Sequence, residues 1–157
     1  MDDQQYLFLD FDGPLHPAQA YVQVDDVHLP LTKLQAAGLF FHLNVLEEFL
    51  SDHRNLGIVV HSSLRLTHSY AELQGLLGPL GQRVVGVTQR ELDRELSILE
   101  FVRRRRIAAE QYRVLDDQPE LFPRLAGTCN FISCDPVEGI AASVPMAQLA
   151  HWLRIPK

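Results

Sequence analysis

Five short apolar runs recur along the chain, over residues 6–10, 57–61, 83–87, 112–116 and 130–133. Within each run the apolar side chains follow one another instead of alternating with polar ones. A strand with one buried face alternates, whereas a strand covered on both faces does not. The runs therefore predict five buried strands of a mainly parallel sheet. Helical spacing fills the gaps between them. Leu39, Leu43, Leu46 and Leu50 form one stripe, widened by Phe40 and Phe49. Leu66, Tyr70, Leu73 and Leu77 form a second, stopped by Gly78-Pro79. A third opens on Thr88 and Glu91 in capping-box spacing and continues through Leu92, Leu96, Leu99 and Val102. It runs into Arg103 to Arg106, where positive charge suits a helix C-terminus. A helical turn is expected after Gln118-Pro119, and a last helix from about Met146 through Leu149 and Leu153.

Strands alternating with helices predict an α/β fold with right-handed crossovers. Residues 13–30 break the pattern. They carry Pro14, Pro17 and Pro30 and a polar stretch over 23–28, so an irregular loop or small hairpin is expected there. At 157 residues the chain is read as a single domain, 1–157.

Composition narrows the function classes. With 46% hydrophobic and 22% charged residues, the chain is globular in character. A net charge of −6 argues against general affinity for nucleic acid. Cys129 and Cys134 make neither a disulfide framework nor a zinc site, and are expected as two small near-core residues. The N-terminus is acidic, without a basic region followed by an apolar one, and no apolar run suffices to span a bilayer. The expected location is cytoplasmic, with no membrane partner.

In such sheets ligands bind beyond the carboxyl ends of the strands. The first strand ends in Asp10-Phe11-Asp12-Gly13, the second in Ser62-Ser63 and the fourth in Asp116-Asp117. Four carboxylates at one edge repel unless a cation sits among them. Hard oxygen donors point to Mg²⁺, which is commonly completed by a substrate phosphate. Gly13 lets the chain leave the strand sharply, and Pro14 prevents its continuation.

These residues resemble the haloacid dehalogenase-like (HAD-like) phosphatase superfamily. Its first motif is matched by Leu7 through Gly13, its second by Ile58 through Ser62, and its acidic pair by Val114 through Asp117. The segment from Cys134 to Ile140 and the Ser62-Ser63-Leu64-Arg65 stretch are similar to segments of small members. The resemblance spans about 6–153 and implies a Rossmann-like three-layer α/β/α sandwich. It also implies that Asp10 is the nucleophile, forming an aspartyl-phosphate, and that Asp12 is the general acid and then base. Asp10, Asp12 through its carbonyl, Asp116 and Asp117 would hold Mg²⁺, and Ser62 and Ser63 would bind phosphate.

Two departures stand out. The family's third motif is usually a Lys, yet no Lys lies between Lys33 and Lys157. Arg94 is the first choice to replace it as a phosphate-binding cation, and Arg90 the second. Leu64 stands where Trp is usual. Neither interval that carries a cap in larger members, 13–57 or 63–94, has room for one, so a capless, open site is expected. Such a site suits a macromolecular phosphorylated substrate, with protein or nucleic-acid ends, or a lid from a second copy of the chain. The expected function is a Mg²⁺-dependent phosphohydrolase. The alternative is a catalytically weak or inactive domain that binds a phosphate or a partner on the same scaffold. A receiver domain ranks last, because it needs a lone Asp after strand three and a late Lys near the site.

Several residues stay outside the expected site. His61 is read as a hydrogen-bonded core histidine, and Asp135 as a turn residue before Pro136. The remaining histidines show no metal-ligand spacing, and His16 is placed near the entrance. Arg65 is read either as structural or as a phosphate contact.

Overall fold

The computed structural model describes residues 3–20 and 28–154. Five parallel strands form one sheet: β1 (Gln5–Leu9), β2 (Leu56–Val60), β3 (Val84–Val87), β4 (Tyr112–Asp116) and β5 (Phe131–Ser133). Their spatial order is β3-β2-β1-β4-β5. Each strand lies within a residue of its apolar run. The five helices are α1 (Leu31–Ala36), α2 (Leu43–Leu50), α3 (Tyr70–Leu76), α4 (Arg94–Arg105) and α5 (Ser143–Arg154).

Alternation of side chains along β1 divides the core. Leu7 and Leu9 face one layer, with Leu34 of α1, Leu43 and Leu46 of α2, Leu73 of α3 and Leu149 of α5. Tyr6 and Phe8 face the other, with Ile98 of α4, Phe122 and Leu125. The fold is therefore a three-layer α/β/α sandwich with a HAD-like strand arrangement. No described helix is long and apolar enough to cross a membrane.

Several sequence expectations need correcting. The capping box at Thr88 does not form. Thr88 instead extends the sheet, its N–H donating to the Val60 carbonyl at 3.0 Å. Helix α4 starts at Arg94, capped by Asp93, whose carboxylate accepts from the Leu96 N–H at 2.8 Å. The later start changes the buried face: Glu95, Ser97 and Ile98 point inward, while Leu96 is exposed. Helix α2 begins at Leu43 rather than Leu39, because Phe40 takes a left-handed backbone with φ 54°. Helix α3 ends at Leu76, with Leu77 as its C-cap, just before Gly78 at φ 54°, and Gly78–Arg83 follows as a 3-10 turn. Helix α1 was not anticipated. Cys129 is exposed, and only Cys134 is buried. Of the polar stretch over 23–28, all but His28 lies outside the described residues.

The arginine run behaves as a solvated helix end. Arg103 and Arg104 both grip Glu100, at 2.7 and 2.6 Å. Trp152 docks α5, donating from Nε1 to the Glu110 carbonyl at 2.9 Å.

Candidate active site

Register places three side chains in one row at the carboxyl edge. Leu9 pairs with Val60 on one side and Leu115 on the other. The next residues, His61, Asp10 and Asp116, therefore lie side by side. The ladder continues through them: His61 N–H donates to the Leu9 carbonyl at 3.1 Å and Asp10 N–H to the Leu115 carbonyl at 3.2 Å. By alternation Asp10 shares the face of Tyr6 and Phe8, the face on which α4 packs. All three side chains are fully buried.

Arg94 enters this row from the first residue of α4. Its Nη1 lies 3.0 Å from Asp116 Oδ2, 3.4 Å from Asp10 Oδ2 and 3.3 Å from Gln118 Oε1. The remaining carboxylate oxygens are also engaged. Asp10 Oδ1 accepts from the Phe11 N–H at 2.9 Å, and Asp116 Oδ1 from the Gln118 N–H at 2.8 Å. His61 Nε2 lies 3.0 Å from Asp116 Oδ2.

Arg65 secures the approach of Arg94. Its buried guanidinium donates to the carbonyls of His61 at 3.1 Å, Ser62 at 3.2 Å and Leu92 at 3.2 Å. It ties the end of β2 to the segment leading into α4. The two readings of Arg65 thus resolve toward a structural tie. Arg90 reaches away from the row, donating to the His68 carbonyl at 2.9 Å.

Behind Asp10 the chain turns through Gly13, at φ +96°. A Cβ there would meet Asp117 Cγ at 2.4 Å, so Asp117 packs directly against this turn. The segment 135–140 supports the turn from outside. Asp135 Oδ1 accepts from the Val137 and Glu138 N–H groups, each at 2.8 Å, and Ile140 N–H donates to the Pro14 carbonyl at 2.9 Å. Asp12, partly exposed, accepts a hydrogen bond from His16 Nε2 at 2.7 Å.

The electrostatics follow from the crowding. Burial, then the neighbouring Asp116, push the Asp10 carboxyl well above its usual range. Burial and Asp116 also raise Asp117, to about 6. Burial opposes the charge on Asp116 too, but the hydrogen bond from His61 and the charge of Arg94 hold it below the usual value. Burial lowers the His61 pKa, with the hydrogen bond to Asp116 opposing it. Its Nδ1 has no hydrogen-bond partner among the described residues.

Arg94 supplies one positive charge against the four carboxylates of Asp10, Asp12, Asp116 and Asp117. The shortfall, together with an all-oxygen donor set, fits a hard divalent cation such as Mg²⁺. His61 Nε2, Asp10 and Asp116 offer ligand atoms within 4.8 Å of one another, but the nitrogen is spent on Asp116 and supports that carboxylate from behind.

Of the residues expected from sequence, Asp10, Asp116 and Arg94 meet directly, and Asp12 on the turn and Asp117 at the end of β4 flank them. Ser62 is buried at the end of β2 and accepts the Leu64 N–H at 3.2 Å; Ser63, half-buried, opens the 3-10 turn Ser63–Leu66. His61 and Gln118 are additions. His61 was legible in one respect: it follows β2 as Asp10 follows β1. His28 and His68 also come together, with ring centroids 4.2 Å apart and His28 Nδ1 3.0 Å from Glu72 Oε2. Their rings are stacked, so their in-plane lone pairs run parallel and cannot converge on one ion without a ring turning.

Residues 6–143 match the family model described as the HAD domain in Swiss Army Knife RNA repair proteins. The chain belongs to this HAD family. No curated protein and no solved structure matches it. Membership supports a phosphatase- or kinase-type function, and the HAD family typically uses Mg²⁺.

Proposed function

We propose that this HAD domain is a Mg²⁺-dependent phosphohydrolase that acts through a phosphorylated Asp10 on the terminal phosphate of an RNA. The contact of Arg94 with both Asp10 and Asp116 carries the reading. It puts a fixed cation beside the nucleophile, as transfer of an anionic phosphoryl group requires. The family description, which names RNA repair proteins, supports an RNA end as the substrate class, and a capless site supports a macromolecular one.

Asp10 Oδ2 attacks phosphorus in line with the leaving oxygen. The bond from phosphorus to that oxygen breaks, and Asp12 gives the oxygen its proton. Asp12 then takes a proton from water as the water attacks phosphorus, and the bond to Asp10 breaks to release phosphate. Arg94 balances charge on the transferring group, and Ser62 and Ser63 offer hydroxyl donors to its oxygens. Mg²⁺ held by Asp10, the Asp12 carbonyl, Asp116 and Asp117 supplies further positive charge when bound. His61 keeps Asp116 ionised and oriented.

Recognition of an end does not require affinity for the length of the strand, which a chain of net charge −6 disfavours. The deciding assay measures phosphate release from oligoribonucleotides bearing a 3′- or a 5′-phosphate, with Mg²⁺ or with chelator, for wild type and Asp10→Asn. Magnesium-dependent release by wild type alone is expected. Release no greater than that of Asp10→Asn on every phosphate ester tried would mean a phosphate- or partner-binding module instead.

A further inference from the structure

His16 lies in the loop after the first motif, and its side chain is completely buried. Its two ring nitrogens have different partners. Nδ1 accepts the Phe40 N–H at 3.1 Å, and Nε2 faces Asp12 Oδ1 at 2.7 Å. A backbone N–H can only donate, so Nδ1 must present its lone pair. The ring hydrogen of the neutral imidazole therefore sits on Nε2 and is donated to Asp12.

The surroundings hold the ring in this arrangement. Phe40 has φ 54°, an uncommon backbone conformation for an aromatic residue. Its ring meets the edges of Phe11 and His16, with centroids 5.4 and 5.0 Å away. The Gly13 N–H donates to the His16 carbonyl at 2.9 Å, and the His42 N–H to the Leu15 carbonyl at 2.8 Å. A left-handed residue in a packed core persists only where its surroundings over-determine it. Here that conformation aims an N–H at the nitrogen whose occupancy sets the tautomer.

We propose that His16 is a positioning residue for Asp12: by occupying Oδ1 it leaves Oδ2 as the oxygen that passes the proton to and from the reacting groups. This inference rests on the phosphohydrolase reading. In the first step the proton on Asp12 Oδ2 goes to the leaving oxygen as its bond to phosphorus breaks and the bond from Asp10 to phosphorus forms. In the second, Oδ2 recovers a proton from the attacking water. His16 keeps its own proton throughout.

The variants separate the two bonds of the ring. Asn at this position places an oxygen near Nδ1, keeping an acceptor for Phe40, but cannot reach Asp12. Gln extends an amide N–H toward the place of Nε2. The measurement is kcat/KM for p-nitrophenyl phosphate and for phenyl phosphate, esters of similar shape whose leaving groups need little and much protonation. A misplaced general acid slows the second ester most. His16→Asn is expected to lose about 10-fold or more on phenyl phosphate beyond its loss on p-nitrophenyl phosphate. His16→Gln is expected to restore most of that ratio. Equal losses on the two esters, or a Gln variant no better than Asn, would overturn the inference while the phosphohydrolase reading stood. Wild type that, like Asp10→Asn, hydrolyses neither these esters nor the oligoribonucleotide phosphates would sink both. Nitrogen-15 spectra of histidine-labelled protein give a readout independent of turnover: Nε2–H with bare Nδ1 is expected for His16, and the opposite tautomer overturns the inference.

Discussion

Arg94 Nη1 lies 3.0 Å from Asp116 Oδ2 and 3.4 Å from Asp10 Oδ2, so a single guanidinium bridges the ends of two adjacent strands. Burial disfavours its charge, but the two carboxylates outweigh burial and hold its pKa above the ordinary value. Arg94→Ala leaves both acids without that partner. It is expected to lower kcat by about 100-fold or more. Without metal it should also destabilise the fold by about 3 kcal/mol. Arg94→Lys should fall between, because an ammonium keeps the charge but not the guanidinium's planar fork. Steady-state kinetics and urea unfolding of the three proteins check both parts.

Asp117 offers a pH test. Its pKa is raised to about 6, by burial first and Asp116 second. A carboxyl raised in the folded state binds its proton more tightly there than in the unfolded chain. Its contribution to stability is therefore complete below the unfolded value and is lost as pH rises through about 6. Asp117→Asn lacks this loss. Metal-free wild type should thus fall behind Asp117→Asn between pH 4 and 7 by about 1 kcal/mol, reduced from the full linkage value because the group is partly exposed to solvent. That corresponds to ~2–4 °C in Tm. Added Mg²⁺ should reverse the order. Thermal unfolding across pH, with and without Mg²⁺, provides the measurement.

The turn at Gly13 predicts a sensitive contact. Gly13→Ala combines a strained φ with a Cβ driven into Asp117. A loss of about 1–3 kcal/mol is expected, with Mg²⁺ affinity falling because Asp117 must move. Gly139→Ala approaches the same turn from outside, where a Cβ would meet the Gly13 and Pro14 carbonyl oxygens, each at 2.4 Å. It should be destabilising to a similar degree and weaken Mg²⁺ less. Calorimetric Mg²⁺ titration of each variant decides the comparison.

Arg65 makes no contact with the carboxylates, yet its loss should reach the active site. Arg65→Ala removes the side-chain donor from the His61 and Leu92 carbonyls, while the Ser62 carbonyl keeps the backbone N–H of residue 65 at 3.0 Å, and it frees the segment that leads to Arg94. About 1.5–3 kcal/mol of stability should go, with reduced kcat and little change in KM. Turnover equal to wild type at a temperature where the variant is folded would count against the tie.

Strand placement was legible in the sequence because strands buried on both faces must be apolar throughout, and few other elements of that length are. The strand ends then marked Asp10, Ser62, Asp116 and Asp117 as candidates for one edge. Helix α4 was less legible. Thr88 and Glu91 carry a capping box's spacing, but Thr88 is taken by the ladder to Val60, and the helix waits for Asp93. Local spacing could not show that competition, because the sheet's hydrogen bonds come from residues distant in the chain.

The sequence by itself determined which acids lie at the strand ends, since polar residues that interrupt apolar runs mark where burial stops. Only the tertiary structure decided how they are compensated. Strand order puts His61, Asp10 and Asp116 in one row, and the packing of α4 on that face, not its spacing, selects Arg94 over Arg90. The same holds for His16, whose tautomer depends on the backbone N–H of Phe40, a contact made only after the loop is folded. Hydrophobic burial is written along the chain; the pairing of buried polar groups depends on which segments meet across it.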